Sequence, residues 1–492
     1  MEPDKIRFGG GSPFTVLHPL VAVAMVLAIV LILCLPRKYV IAPALLALFF
    51  IPAGQVIVAA GIHLNVFRIV ILAGLARYAA SRLSSPRVGG FNFMDRAVTL
   101  WAISYLVIYS LQYRDVQAVI KSVGDCLDGL GSYLVLRFLI QDREDVRRTI
   151  KVLATVAIVN AICMLNEQRT GKDVFALLGG MIEEVVRDGK IRSQGSFAIF
   201  ITAGSFGATL APLMIWLWSE GKAKIISLLG LLAATIMTVT CFASTTLVAY
   251  VAGILALCLW PIRKQMRLVR WGIVTVLVGL HLVMHGPVWS LLEHIDLTGS
   301  SSSYHRYMLI DNFIRHFGDW WLLGTRDNGS WGWEMWDTSN QYVSYGFSGG
   351  LLTVILFISI ISRGFASLGN ARKVVEPNRS EEWFLWCLGA AMLSHVVAFF
   401  GIGYFDQVRF AWFALLAIIS VAVFEATKSV VPQVRETCSS SYQFRAPSGL
   451  KRIEDEADEL TSTPRRRIIS EGLRKPIRSN VLSNRNGRNA ES

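Results

Sequence analysis

Long apolar runs alternate with short polar breaks over most of this chain. Runs such as FTVLHPLVAVAMVLAIVLILCL (14–35) and IISLLGLLAATIMTVTCFAS (225–244) hold no charged residue, and apolar runs of roughly 18–25 residues match the thickness of a bilayer core. Read at that length, the pattern predicts spans near 14–35, 39–60, 62–80, 97–113, 122–141, 147–165, 194–218, 224–244, 245–262, 270–290, 341–362, 383–402 and 408–427. The expected fold is all-α, a polytopic membrane helix bundle of about 12–13 transmembrane helices. It occupies residues 1–428. The two weakest spans are 62–80, which carries Arg68 and Arg77, and 122–141, which carries Asp125 and Asp128.

The polar breaks differ in charge. Arg37 and Lys38, then Arg77, Arg82, Arg87 and Arg96, then Arg143, Arg147 and Arg148, then Lys222 and Lys224 fall in alternate breaks. So do Arg263, Lys264, Arg267 and Arg270, and finally Arg363, Arg372, Lys373 and Arg379. Loops rich in Lys and Arg resist translocation, so these breaks are expected on the cytoplasmic side. That assignment places the amino terminus and two long loops, about 166–193 and 291–340, on the outer side.

Composition agrees with a membrane protein: of 492 residues, 53% are hydrophobic and 17% charged. The first run lacks a small-residue cleavage site and is followed by Arg37-Lys38, which predicts a retained span. Residues 429–492 are rich in Ser, Arg and Asn, with an acidic cluster at 454–459 ahead of Arg465, Arg466 and Arg467. Such a segment buries too little apolar surface to offset ordering, so a disordered basic cytoplasmic tail is expected, with membrane lipids as one partner. The seven cysteines show no metal spacing. No Walker loop and no GxGxxG in a strand-turn-helix context occurs, and no nucleic-acid partner or cofactor is indicated.

Candidate chemistry concentrates in the two outer loops. In SSSYHRYMLIDNFIRHFGDWWLLGT (301–325), Tyr307, Ile310, Phe313, Ile314 and Phe317 recur at helical spacing, with His305, Asn312, His316 and Asp319 on the other side. This predicts an amphipathic helix along the membrane surface, with Ser303 as a plausible N-cap. Arg306, near its start, favours a phosphate. A second outward arginine, Arg192, precedes a run with Gly195, Ala203, Gly204, Gly207 and Ala208 that permits close helix packing. Two such arginines would clamp one diphosphate. Trp320, Trp321, Trp331, Trp333 and Trp336 form either an interfacial belt or a platform for sugar rings. Glu334 and Asp337, at i and i+3, would share a face of a helical turn, where a carboxylate serves as general base. His281 and His285 have metal-pair spacing but no third ligand at motif spacing, so they read as core or interfacial histidines and no metal site is expected.

Three pieces in order, RSQGSF (192–197), Arg306 with WLLGT (321–325), and NQYVSYGFSGGL (340–351), resemble the O-antigen ligase and polysaccharide polymerase superfamily. The resemblance covers mainly residues 190–365. It implies a metal-independent, inverting glycosyl transfer at the periplasmic face of the bacterial inner membrane. The donor would be a glycan on undecaprenyl diphosphate, the acceptor a glycan or lipid, and other polysaccharide assembly proteins would be possible partners. Arg192 and Arg306 match the diphosphate arginines, and Asn340 and Gly350 fit the last motif. Ser339 stands where the ligases carry histidine, and Thr353 replaces their second glycine, which favours a polymerase-like member. The base would then be Asp337, with Glu334 or His305 as substitutes. His305, Trp331, Trp333, Glu334, Trp336 and Asn340 are expected around the substrate.

Two other classes compete. A secondary transporter or flippase for a lipid-linked glycan would draw on Asp125 and Asp128 at the membrane midplane. A non-catalytic relative would bind the lipid-linked glycan without acting on it.

Overall fold

A computed structural model describes residues 14–59, 62–81, 89–180, 186–187, 189–294 and 302–428. The tail at 429–492 and Arg82 and Arg87 of the second basic break lie outside the described residues. Helices dominate. α1 (Pro19–Cys34) and α2 (Arg37–Phe50) meet at Pro36 and precede a short antiparallel hairpin, β1 (Val56–Ala59) and β2 (Ile62–Asn65). α3 (Val66–Ser81) follows, then α4 (Phe93–Tyr113). At the start of α4 the Asn92 side chain accepts from the Asp95 N–H while the Asp95 carboxylate accepts from the Asn92 N–H, a reciprocal cap. α5 (Val116–Cys126) runs through a π-helical turn, Leu127–Gly131, into α6 (Ser132–Leu139).

After the long α7 (Arg143–Thr170) come a two-residue hairpin, β3 (Val186–Arg187) and β4 (Lys190–Ile191), and three apolar helices, α8 (Phe200–Ser219), α9 (Lys224–Thr240) and α10 (Ser244–Cys258). α11 (Met266–Val283) and the single-turn α12 (Leu291–His294) lead to α13 (Ser302–Arg315) and α14 (Phe317–Trp320). α15 (Gln341–Val374), α16 (Arg379–Ala398) and α17 (Val408–Lys428) close the bundle.

Five helical stretches among the described residues are long and apolar enough to cross a membrane: α7, α8, Trp260–Val283, α15 and α17; α1, α9 and α10 are apolar but shorter. The surface has the same character. α11 has no buried residue, and it exposes Leu268, Trp271, Ile273 and Val276, while α1 exposes Leu20, Val23 and Leu27. Contiguous apolar faces of this kind are not found on monomers in water. Inside, α8 packs against α9, α10 and α16, and a Cβ on Gly207 would stand 2.6 Å from the Ala234 carbonyl oxygen, so the glycine sets the approach of α9.

Arginines from several of the basic breaks meet acidic partners at one end of the bundle. Arg37 donates to the Leu139 carbonyl at 2.9 Å and to Asp145 at 2.7 Å. Arg147 holds Glu220 with two bonds of 2.7 and 2.6 Å. Arg263 and Arg372 converge on Glu382 at 2.9 and 3.0 Å. These contacts join α2 to α7, α7 to the end of α8, and the turn after α10 to α15 and α16.

Two expectations change. The run 39–60 is not one helix: α2 stops at Phe50, and Pro52 and Gly54, the latter at φ 94, turn the chain into the β1–β2 hairpin. An apolar run reads alike for strand and helix, and only the Pro and Gly mark the break. The span at 122–141 is the α5, π-turn and α6 series, and its charges pair with those of 62–80: Arg68 grips Asp128 with bonds of 3.1 and 3.0 Å. The ends of α9 and α17 lie close to the sequence pattern, whereas α15 runs on to Val374, past the expected end at 362, and α11 covers Met266–Val283 in place of 270–290.

Glu382, 4% exposed at its side chain, holds two guanidinium groups that are themselves mostly buried. Glu382→Ala strands both, and a loss of about 3–5 kcal/mol is expected. A thermal-unfolding midpoint in detergent equal to the wild type would refute the role given to this cluster.

Candidate functional site

The segment 192–198 runs from β4 through a turn at Gly195-Ser196 to α8, and buried acceptors from other elements fix it. The Gln194 and Gly195 N–H groups donate to the Glu167 carboxylate at 3.1 and 3.2 Å, Ser196 N–H to Asn160 Oδ1 at 2.9 Å, and Ala198 N–H to Asp406 Oδ2 at 3.0 Å. Gln168 adds a bond of 2.7 Å to the Ser193 hydroxyl. Gly195 sits at φ 60, and a Cβ there would lie 2.6 Å from Asn160 Oδ1, so conformation and space both require glycine. Phe197 is buried beside Phe49 and Phe206, at 6.2 and 5.4 Å between ring centroids. Arg192 is thereby held at the lip of α8, its guanidinium 4.8 Å from the Phe200 ring.

WLLGT (321–325) interlocks with α15. Gly350 breaks that helix at φ 61, and the hydrogen bonds given up there are remade outside it. The Leu351 N–H donates to the Trp321 carbonyl at 2.9 Å, while the Phe347 carbonyl accepts from Thr325 N–H and from Gln112 Nε2, each at 3.0 Å. A Cβ on Gly350 would meet the Leu322 carbonyl oxygen at 2.6 Å. Asn340 caps α15, accepting from the Tyr342 and Val343 N–H groups at 2.9 and 3.2 Å and donating to the Phe400 carbonyl at 3.3 Å.

These two frames bring Arg192 and Arg306 to one cavity of about 590 Å³, together with His305, Trp333, Glu334, Asp337 and Ser339. It lies at the end of the bundle opposite the ion-paired end, since the starts of α8, α10 and α15 border it and their far ends carry the arginine clusters. α13 occupies the place of the expected amphipathic helix, though it starts at Ser302, so Ser303 lies within its first turn.

Glu334 and Asp337 are not on a helical face. Glu334 takes a left-handed φ of 55, and the Asp337 N–H donates to the Glu334 carbonyl at 3.0 Å, closing a tight turn. Met335, 2% exposed, anchors that turn in a small core with Leu309, Val343 and Phe347. The Ser339 hydroxyl donates to Asp337 Oδ1 at 2.6 Å. His305 Nε2 lies 3.0 Å from the Glu334 carbonyl oxygen, so the ring is tied to the same turn.

The remaining residues are dispersed. Trp331 does not line the cavity: it stacks on His316 at 4.6 Å and meets Phe347 edge-on at 5.1 Å. Trp333 lines it with 81% of its surface exposed, and Trp336, 73% exposed, is outside the lining. Asn340 is buried and its side chain is engaged in the cap. Thr353 is buried, 3.0 Å from the Ser104 hydroxyl. His281 Nδ1 accepts from the Val288 N–H. Phe200, Ser244, Tyr304 and Met308 also line the cavity. Of these, Tyr304 and Met308 lie in the stretch 301–325 that the sequence singles out.

The cavity can thus hold an anionic group between two guanidiniums with two carboxylates near by. Gly195→Ala is expected to strain the 192–198 segment by about 1–3 kcal/mol, with faster hydrogen exchange of the Gln194 and Ser196 amides and an intact bundle. Unchanged protection of those amides would show that the segment does not depend on the glycine. In comparisons with known proteins, no family model matches this chain, and no curated protein matches it.

Proposed function

We propose that the chain is a membrane glycosyltransferase that polymerises or transfers an undecaprenyl-diphosphate-linked oligosaccharide at the periplasmic face of the bacterial inner membrane, in exopolysaccharide or O-antigen synthesis. The carrying observation is one cavity shared by Arg192 and Arg306, from loops far apart in sequence, with Asp337 and Glu334 on its wall. Its volume falls in the range of roughly 300–1,000 Å³ usual for ligand pockets. The arginine-rich end takes the cytoplasmic side by the positive-inside rule, which turns the cavity outward and gives the tail to the cytoplasm.

The chemistry follows from the groups present. An acceptor hydroxyl oxygen attacks the anomeric carbon as the bond to the diphosphate oxygen breaks, and the hydroxyl proton passes to a carboxylate. A single displacement inverts the anomeric centre. Negative charge grows on the leaving diphosphate, where forked guanidiniums bind it best. Asp337 is the favoured base, because the Ser339 hydroxyl bonds one of its oxygens and so fixes the carboxylate. Trp333 offers an exposed ring face for a sugar.

A second reading, transport or flipping of a lipid-linked glycan, is favoured by the ionic cluster of Arg68, Asp125 and Asp128 among apolar helices. Proteoliposomes supplied with an undecaprenyl-diphosphate oligosaccharide separate the classes. Elongation marks the transferase, transbilayer movement the transporter, and saturable binding alone a non-catalytic relative. Within the first outcome, Arg192→Ala and Arg306→Ala are each expected to lower the transfer rate by about 10²–10³-fold. Asp337→Asn is expected to lower it by about 10²–10⁴-fold. Wild-type chain lengths and rates from all three would sink the assignment.

A further inference from the structure

A second cavity, of about 210 Å³, lies on the other side of the α15 start and shares no lining residue with the first. α4, the α5–π–α6 series, α15 and α17 all border it. Much of the wall is aromatic, including Trp101, Tyr105, Tyr345, Phe399, Trp412 and Phe413. The rest is ionic. Lys121 and Asp125 are paired at 2.7 Å, Tyr105 donates to Asp125 at 2.8 Å, and Arg409 reaches Asp128 at 3.3 Å. Arg68 joins both carboxylates from behind, at 3.4 Å to Asp125 and 3.0 Å to Asp128.

Three features go beyond what packing requires. First, the charged groups that line the cavity are two cations, Lys121 and Arg409, against one carboxylate, Asp125, while Arg68 and Asp128 are not among the lining residues, so the wall itself carries one positive charge in excess. Second, polar groups on the wall lack partners among the described residues. Gln341 is 3% exposed; its Oε1 accepts from the Tyr404 N–H, which fixes the amide and leaves Nε2 with nothing to donate to. Trp101, 6% exposed, has an indole Nε1–H without an acceptor, and Arg409 Nε is likewise unsatisfied. The Tyr345 hydroxyl, also on the wall, has no hydrogen bond among the described residues either. Buried donors without acceptors are rare in native cores, and two of them, Trp101 Nε1 and Arg409 Nε, belong to residues that line this cavity. Third, Asp128 sits on a π-helical turn, a local departure from the α-helix that occurs often at functional sites.

We propose that this cavity is a carbohydrate site that takes one pyranose unit carrying a carboxylate. The aromatic wall suits the C–H faces of a sugar ring, the idle Gln341 and Tyr345 donors suit its hydroxyl oxygens, and the surplus cation suits an acid substituent. The volume lies below the roughly 300–1,000 Å³ of drug-sized pockets, so a single small unit fits and a longer chain does not. The site rests on the reading of this protein as one that handles glycans, but it concerns binding alone and needs no transfer step.

The test uses the full chain in lipid nanodiscs, with saturation-transfer NMR on methyl β-D-glucuronide, methyl β-D-glucoside and sodium acetate as probes. The glucuronide is expected to bind saturably and the glucoside about tenfold more weakly, the worth of one charge-assisted hydrogen bond. Tyr345→Phe, which removes one hydroxyl and keeps the ring, is expected to weaken the glucuronide about fivefold. Lys121→Met is expected to erase its advantage over the glucoside. Arg306→Ala, in the other cavity, should leave both affinities unchanged. Several outcomes would overturn the proposal: no saturable binding of either glycoside, acetate competing as well as the glucuronide, equal affinities in wild type and Tyr345→Phe, or loss of binding in Arg306→Ala alone. Failure here leaves the elongation assay untouched, and failure of elongation with glucuronide binding intact would remove the transferase reading and keep this site.

Discussion

A backbone that leaves the helix where water is scarce must find new partners for its N–H and C=O groups, and the design of this protein follows from how it meets that demand. The stretch 192–198 surrenders helical bonds and receives Glu167, Asn160 and Asp406 in their place. At Gly350 the bonds lost by α15 are returned by Trp321 and Thr325. Gln55 ties the first hairpin to the Leu178 and Gly179 carbonyls, and Gln407 donates to Ser196 and Ile51. All of these repairs sit at the end of the bundle that carries both cavities. Irregular backbone is concentrated where side chains must converge, and regular helix fills the rest.

The repairs explain what the short sequence signals mark in the fold. In RSQGSF, the glycine is demanded by a positive φ and by Asn160, and the phenylalanine by a place between two core rings, so the motif marks a shape that presents Arg192. In NQYVSYGFSGGL, Asn340 is a helix cap and Gly350 a helix break. Spacing between such residues is visible in a sequence because backbone geometry dictates it. Partners are another matter: nothing in the chain announces that Glu167 reads the 194–195 amides, or that Met335 pins the turn carrying Glu334 and Asp337.

Hydropathy marked the chain as mostly helical with helices long and apolar enough to cross a membrane, because apolar length is a one-dimensional property. It failed at 39–60, where Pro52 and Gly54 divide a helix from a hairpin inside one apolar run. It could also not tell which tryptophans face a cavity. Trp331, Trp333 and Trp336 are alike in sequence, yet one stacks in a core on His316 while the other two stand in the open. The second cavity was hidden for the same reason. Arg68 and Asp128 looked like blemishes in two separate spans, and only the fold makes them each other's explanation.

That pairing reaches back into how the chain is made. A helix leaves the ribosome before its neighbours exist, and Arg68, in the first turn of α3, is then a charge without its partner, although one near a helix end costs less than one at its centre. α3 emerges with Arg68 well before Asp125 and Asp128 are synthesised, and those carboxylates in turn precede Arg409 by most of the protein's length. The first helices therefore enter the bilayer with an unsettled charge, which α5 partly settles and α17 completes. The cluster is complete only when the last helix arrives, so a chain cut short before α17 lacks the arginine that pairs with Asp128 from that side.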